Sequence, residues 1–90
     1  MRIALICHDK PGALQTRLDN RAAHLAHIDS TGVVEMAGPF LDDTGAMTGS
    51  LIILNVDTLD AARAWAAADP YAKAGLFRAV TITEWKKVIG

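Results

Sequence analysis

The sequence contains a single cysteine, Cys7, so no disulfide can form within one chain. Disulfide frameworks belong to oxidising compartments, and their absence favours a reducing, cytoplasmic setting. No long hydrophobic run is present either. The apolar segment from Arg2 to Cys7 is too short for a signal peptide or a membrane span, and it predicts a buried strand instead.

The sequence also has no excess of charge of either sign. Nine basic residues stand against ten acidic ones, for a formal net charge of −1. This balance gives no electrostatic attraction for nucleic acid or for anionic lipid. An RNA-binding sheet is disfavoured further, because the central predicted strands carry no aromatic side chains.

Ninety residues with 51% hydrophobic content predict one globular domain over residues 1–90. Alternating and helical periodicities, interrupted by turn residues, predict the order strand, helix, strand, strand, helix, strand. This order is typical of a ferredoxin-like α+β fold, with two helices on one face of a four-stranded antiparallel sheet. The predicted elements are strands Arg2–Cys7, Val33–Phe40, Ser50–Val56 and Phe77–Trp85, and helices Ala13–Asp29 and Asp57 or Thr58 to Ala68.

The predicted third strand is apolar on both of its faces. Leu51 and Ile53 lie on one face, while Ile52, Leu54 and Val56 lie on the other. A sheet with one face in water alternates apolar and polar residues, so a second cover is needed. The chain has no spare element to supply it. We therefore expect a homodimer in which two sheets pack face to face.

Helix one carries a stripe of apolar residues that predicts its buried face; the members are Leu14, Leu18, Ala22, Leu25 and Ile28. Arg17, Arg21 and His24 fall in one sector beside this stripe. One interpretation is a pocket in which the arginines hold an anionic or hydroxylated ligand and His24 moves a proton. The structural alternative is that the arginines extend along the helix flank and His24 is a boundary residue.

Metal and thiol chemistry have less support. His24 and His27 are three residues apart on one helix, which permits shared metal ligation. No third ligand is obvious, and His8, Asp9 and Cys7 are candidates only by residue type. We expect no metal site and no cofactor. Cys7 lies in a run that is predicted to be buried, where a thiol is inert.

The segment Asp69-Pro70-Tyr71 has the composition of a helix start, with an N-cap aspartate and proline at the first helical position. Gly75 would end this short turn. A functional interpretation is compatible with the structural one, because an ionised Asp69 can orient a histidine across a cleft. Small residues at Gly38-Pro39, Ser50 and Gly75 would let a ligand approach the backbone, although turns and bulges explain them equally well.

Taken together, these residues resemble the YciI-like (YCII-related) family from the first strand to Lys87. The segments that carry the resemblance are Arg21-Ala22-Ala23-His24-Leu25, Gly38-Pro39, Thr48-Gly49-Ser50, Asp69-Pro70-Tyr71, Ala74-Gly75-Leu76 and the closing strand with Trp85. The resemblance implies a homodimer of the dimeric α/β-barrel type. It also implies a cleft with His24 and Asp69 as active-site residues. One related enzyme group eliminates HCl from chlorinated aromatic diols, which suggests lyase chemistry.

The sequence and the resemblance together predict a cofactor-free enzyme for a small polar or aromatic metabolite. His24 would act as general base or acid and Asp69 would orient it. The remaining candidate substrate-binding residues are Arg17, Arg21, Gly38, Pro39, Ser50, Tyr71 and Gly75. The alternative is a non-catalytic module that binds a metabolite in the same cleft. The loop Leu41–Thr48 is shorter than in some relatives, so the resemblance does not define the rim of the pocket or the choice of substrate.

Overall fold

The computed structural model describes all residues from Met1 to Gly90. Its elements in chain order are β1 Arg2–Asp9, α1 Leu14–Thr31, β2 Val34–Leu41, β3 Met47–Asn55, α2 Leu59–Ala68, α3 Pro70–Lys73 and β4 Phe77–Glu84. The strands form one antiparallel sheet in the order β2-β3-β1-β4. The predicted ferredoxin-like βαββαβ arrangement is therefore confirmed. No helix combines the length and the apolar character needed to span a bilayer.

The element ends follow local capping chemistry. Gly32 adopts a left-handed conformation with φ of 65° just after α1, where a residue with a Cβ would be strained. The Thr58 side chain accepts a hydrogen bond from the Ala61 N–H at 3.0 Å and so starts α2. β1 runs two residues beyond its predicted end, because His8 and Asp9 still pair with β4.

The core lies between the sheet and the helices. It comprises Ile3, Leu5 and Cys7 of β1, Ile52 and Leu54 of β3, and Ala62 and Trp65 of α2. The Trp65 indole N–H also donates to the Thr31 hydroxyl at 2.9 Å, which fixes α2 against the end of α1. Both helices thus cover the same face of the sheet, called here the inner face.

The orientation of α1 differs from the prediction. Leu14, Leu18 and Leu25 are 42%, 47% and 41% exposed, whereas Arg17 and His24 are the buried residues of this helix. Two carboxylates below the helix explain the rotation, because each forms an ion pair with one of these buried side chains. Paired charges can be buried where a single charge could not. The hydrophobic pattern was therefore wrong for Leu14, Leu18 and Leu25, whereas Ile28 of the same predicted stripe does pack against the core.

No helix covers the other side of the sheet, called here the outer face. Ala4 and Ile53 on this side are nevertheless only 5% and 3% exposed, so the chain itself shields part of the face, whereas Leu51 and Met36 are 36% and 47% exposed. The predicted division of β3 is correct: Ile52 and Leu54 lie in the core, and Leu51 and Ile53 face outward. Outward-facing neighbours on the flanking strands are Ala4, Ile6 and Met36, as the register shows. The centre of the outer face is therefore apolar.

β2 lies at the edge of the sheet, which explains how Gly38-Pro39 can stand within a strand. Proline has no N–H to donate, and an edge strand leaves such a position unpaired without loss. From the sequence, Gly38-Pro39 could mark a sheet edge, a bulge or the end of the strand. The structure shows an edge strand that continues to Leu41. Pro39 lies opposite Ser50 of β3, which brings both onto the inner face.

Gly49 is required for close approach of β3 to β1. A Cβ at this position would overlap the Cys7 backbone carbonyl oxygen, which cannot move without breaking the ladder. We expect Gly49→Ala to lower the free energy of unfolding by about 1–3 kcal/mol, the usual range for overpacking. Urea unfolding measures this. Gly38→Ala is the matched control, since a Cβ there meets no atom within 4 Å; equal losses in both variants would contradict the explanation.

Candidate active site

A cavity of about 180 Å³ opens between α1, α3 and the strands β2 and β3. Its polar lining residues are Arg17, Arg21 and His24 of α1, Ser50 of β3 and Tyr71 of α3. The other lining residues are largely apolar: Leu25, Ile28, Ala37, Gly38, Pro39, Met47 and Ile52. The cavity thus offers both hydrogen-bonding groups and apolar surface.

His24 and Asp69 form a buried pair at this cavity. The Nδ1 of His24 lies 2.8 Å from Oδ1 of Asp69, and the two side chains are 8% and 3% exposed. Every buried side-chain nitrogen or oxygen in the protein has a hydrogen-bond partner. The Nε2 of His24 has no partner within the protein, so it is not a buried atom. Nε2 is therefore accessible from the cavity that His24 lines. One nitrogen is held by the carboxylate and the other is free for a ligand.

Asp69 is itself held by the backbone. Its Oδ1 accepts a hydrogen bond from the Tyr71 N–H at 3.0 Å and so caps α3, with Pro70 at the start of that helix. The same oxygen therefore caps a helix and binds the histidine. The sequence suggested that Asp69 either caps a helix or orients a histidine, and its Oδ1 makes both contacts. A carboxylate fixed in this way has little freedom to reorient.

The Tyr71 ring lies between two residues of α1. Its centroid is 3.9 Å from that of His24 with the planes inclined by 13°, and 4.8 Å from the guanidinium carbon of Arg17. Arg17 and His24 are seven residues apart, which corresponds to about two helical turns. Burial raises the pKa of the Tyr71 hydroxyl, against the opposing effect of the two nearby arginines. Tyr71 therefore remains a neutral hydrogen-bond donor at physiological pH.

Arg17 belongs to a second buried pair. Its Nε and Nη2 donate to the two oxygens of Asp9 at 2.8 and 2.9 Å, and Nη2 also donates to the Ser50 hydroxyl at 3.0 Å. Burial by itself lowers the pKa of Arg17, but the hydrogen bonds and charge of Asp9 outweigh it and raise the pKa above the usual value. Arg21 has no ion-pair partner, so it is the arginine of the cavity without a balancing carboxylate.

The structure brings eight of the nine candidate residues into one site, namely Arg17, Arg21, His24, Gly38, Pro39, Ser50 and Tyr71 at the cavity and Asp69 directly behind His24. Gly75 lies elsewhere. It ends α3 with a φ of 72°, and a Cβ there would meet only the Lys10 side chain. Its conformation is explained by the turn. Asp9, in contrast, was missed by the sequence reasoning, although it stands eight residues before Arg17 at the end of β1.

His27 does not join His24. Its Nε2 donates to the Trp65 carbonyl at 3.2 Å, and its ring packs against the Trp65 indole with centroids 4.5 Å apart. No group of three His, Cys, Asp or Glu side chains is placed to share a metal ion. His27 thus serves to hold α2 against α1.

Cys7 lies in the core, and burial, followed by the negative charge of Asp69, raises the pKa of its thiol to about 12. At pH 8 almost no thiolate is present in the folded protein, and the thiolate is the reactive species. We expect iodoacetamide to alkylate folded Cys7 at least about a hundredfold more slowly than the urea-unfolded chain. Mass spectrometry of timed samples measures the two rates; similar rates would contradict this burial.

The fold and the site together define a small α+β protein of ferredoxin-like order with a histidine–aspartate pair beside a cavity. Residues 1–86 match the model of the YCII-related domain, and the chain belongs to this family. The resemblance in the sequence is therefore confirmed.

Curated relatives match the chain over nearly its whole length. Protein YciI of Escherichia coli O6:H1 is 39% identical, with 98% of this chain and 99% of that protein covered. Protein YciI of Shigella flexneri has the same values. A protein of Haemophilus influenzae is 33% identical with the same coverage.

Two solved structures share the fold. The 5-chloro-2-hydroxyhydroquinone dehydrochlorinase of Burkholderia phenoliruptrix AC1100, in complex with 2,5-dihydroxybenzoquinone, is 37% identical with a TM-score of 0.87. The match covers 96% of this chain and 94% of that one. An antibiotic biosynthesis monooxygenase has a TM-score of 0.56 at 12% identity, covering 96% and 98%, and shares the fold alone.

Proposed function

We propose that this protein is an enzyme that transfers a proton on a small hydroxylated ring, with His24 as the general base and acid. The observation that carries the proposal is the His24–Asp69 pair, with Nδ1 held at 2.8 Å and Nε2 open to the cavity. A base must present a free nitrogen to the substrate and hold its tautomer by the other nitrogen. His24 meets both conditions.

The chemistry follows from this arrangement. Neutral His24 takes a proton at Nε2, and the resulting imidazolium is stabilised by the Asp69 carboxylate, which remains ionised. The substrate is left with an extra electron pair, whose negative charge faces the unpaired Arg21. Return of the proton to another atom completes an isomerisation. Departure of a leaving group with its bonding electrons completes an elimination.

The size and polarity of the cavity support a substrate with one ring. A cavity of about 150 Å³ is known to accommodate benzene, and this one measures about 180 Å³. The apolar lining residues suit the face of the ring, and the polar lining residues suit its oxygen substituents. The similar dehydrochlorinase is named for a chlorinated hydroxyhydroquinone, which supports lyase chemistry of this kind here.

The test follows the ring protons of 2,5-dihydroxybenzoquinone in D₂O by proton NMR. Protonation of a ring carbon gives a CH₂ group, and loss of either hydrogen restores the ring, so repeated transfer replaces hydrogen with deuterium. We expect the protein to accelerate this exchange above the buffer rate. Binding of the compound without accelerated exchange would instead support the non-catalytic metabolite-binding module. A thermal-shift screen of phenolic acids then extends the search for substrates.

We further propose that the protein is a homodimer joined through the outer face. The exposed Leu51 and Met36, with the half-buried Ile6 on the same face, support this, because neighbouring apolar side chains at a surface favour association. Our expectation of a cytoplasmic protein is supported by the unpaired Cys7.

Light scattering coupled to size exclusion measures the dimer directly. We expect twice the chain mass at micromolar concentration, and we expect Leu51→Glu to shift the protein to the monomer because it places a charge in the centre of the outer face. A wild-type monomer at that concentration would contradict the proposal.

A further inference from the structure

The Ser50 hydroxyl is in an unusual hydrogen-bonding state. It is 3% exposed, it lines the cavity, and its oxygen accepts a hydrogen bond from Arg17 Nη2 at 3.0 Å. No group of the protein accepts the hydroxyl hydrogen of Ser50. Since the oxygen is already occupied by a donor, that hydrogen is available to a ligand in the cavity.

Arg17 imposes this orientation. A guanidinium only donates hydrogen bonds, so the Ser50 oxygen facing it must act as acceptor. Arg17 cannot easily turn away, because Asp9 holds it through two parallel hydrogen bonds at 2.8 and 2.9 Å. Asp9, Arg17 and Ser50 therefore form a chain in which two buried residues fix the direction of one hydroxyl.

Two of the other polar lining residues of the cavity are donors as well. Arg21 is a cation without a partner carboxylate, and Tyr71 keeps its hydroxyl proton because burial raises its pKa. His24 Nε2 is the exception, since the neutral ring accepts a proton there. A ligand that forms hydrogen bonds with all of these groups carries a negatively charged oxygen near Ser50 and Arg21. It also carries a proton that it can release near His24.

We propose that Ser50 is the hydrogen-bond donor of an oxyanion site, with Arg17 as its positioning residue, and that the substrates are single-ring compounds with an ionised ring oxygen. Phenolates and hydroxyquinones belong to this class. This inference rests on the proposed function and specifies its substrates.

The first experiment measures the affinity for 2,5-dihydroxybenzoquinone, which is anionic at neutral pH, by absorption titration. We expect Ser50→Ala to weaken binding by at least about tenfold, the usual effect of losing a hydrogen bond to a charged group. Ser50→Thr keeps the hydroxyl and should stay within about threefold of the wild type. Hydroquinone, which is neutral at this pH, should lose less affinity than the anion in Ser50→Ala.

The second experiment tests the role of Arg17 through Ser50. Lysine keeps the charge but lacks the planar fork, so Arg17→Lys should lose the fixed direction of the hydroxyl. In a double-mutant cycle with Ser50→Ala, the second substitution should add little to the first. A merely structural Arg17 would give additive losses of affinity. Melting curves with and without the compound confirm that each variant is folded.

The outcomes separate the two proposals. If Ser50→Ala binds the quinone as tightly as the wild type while the wild type catalyses deuterium exchange, the oxyanion site is wrong and the proposed function stands. If Ser50→Ala weakens binding but the wild type catalyses no exchange, the oxyanion site stands and the enzyme proposal is wrong. A wild type that does not bind the quinone at millimolar concentration overturns the substrate class.

Discussion

Replacing His24 with glutamine is expected to lower the rate of catalysed proton transfer by about 10²–10⁴-fold, the usual contribution of a general acid–base group. Glutamine can still donate a hydrogen bond toward Asp69 but cannot take up a proton. The measurement is deuterium exchange into 2,5-dihydroxybenzoquinone, followed by turnover of any substrate that the screen provides.

The fold should survive this change. His24→Gln loses the stacking on Tyr71 but keeps a polar partner for Asp69, so we expect a loss of stability of about 1–2 kcal/mol. His27→Gln is the matched control on the same helix, because His27 lies outside the cavity and contacts Trp65. A His24→Gln variant with wild-type exchange would remove His24 from the mechanism, whatever the stability data show.

The second large effect concerns stability. Arg17→Met is expected to lower the free energy of unfolding by about 3–5 kcal/mol, because it leaves the Asp9 carboxylate buried without its partner. The pair is 3% and 6% exposed, so water cannot replace the lost guanidinium. Urea unfolding measures the change. Adding Asp9→Asn to Arg17→Met should recover part of the loss, since it removes the stranded charge.

An exposed ion pair supplies the control. Arg2 and Glu35 are 36% and 25% exposed and lie 2.9 Å apart, so Arg2→Met should cost far less stability than Arg17→Met, because water solvates the carboxylate that is left. The comparison isolates burial, since both substitutions remove one arginine from one carboxylate. Similar losses in the two variants would show that burial does not govern the Arg17–Asp9 pair.

The sequence predicted the fold because its signals are local. Gly32 after α1, Thr58 before α2 and the Asp69-Pro70 pair before α3 each act through hydrogen bonds or conformations within a few residues. Such signals need no knowledge of tertiary contacts. The order of the elements along the chain and the two faces of β3 followed from periodicity, which is also local.

The site was predictable only in part, since its contacts are distant in sequence. Forty-five positions separate His24 from Asp69, and only the family resemblance associated them. Hydrophobic periodicity indicated Leu14, Leu18 and Leu25 as the buried stripe of α1, because it treats every charged residue as exposed. Two ion pairs reverse that rule here. Asp9 was overlooked for the same reason, since its partner becomes evident only after folding.

The double use of Asp69 Oδ1 has an evolutionary consequence. Active-site residues often reduce stability, so that selection for activity and selection for stability oppose each other. Under the mechanism proposed above they coincide at Asp69, because the oxygen that starts α3 is the oxygen that holds His24. Asparagine caps a helix about as well as aspartate but carries no charge. An asparagine at this position would therefore keep the stability of α3 and lose the charge beside His24. Drift to asparagine at this position would mark a lineage that kept the fold after giving up the base.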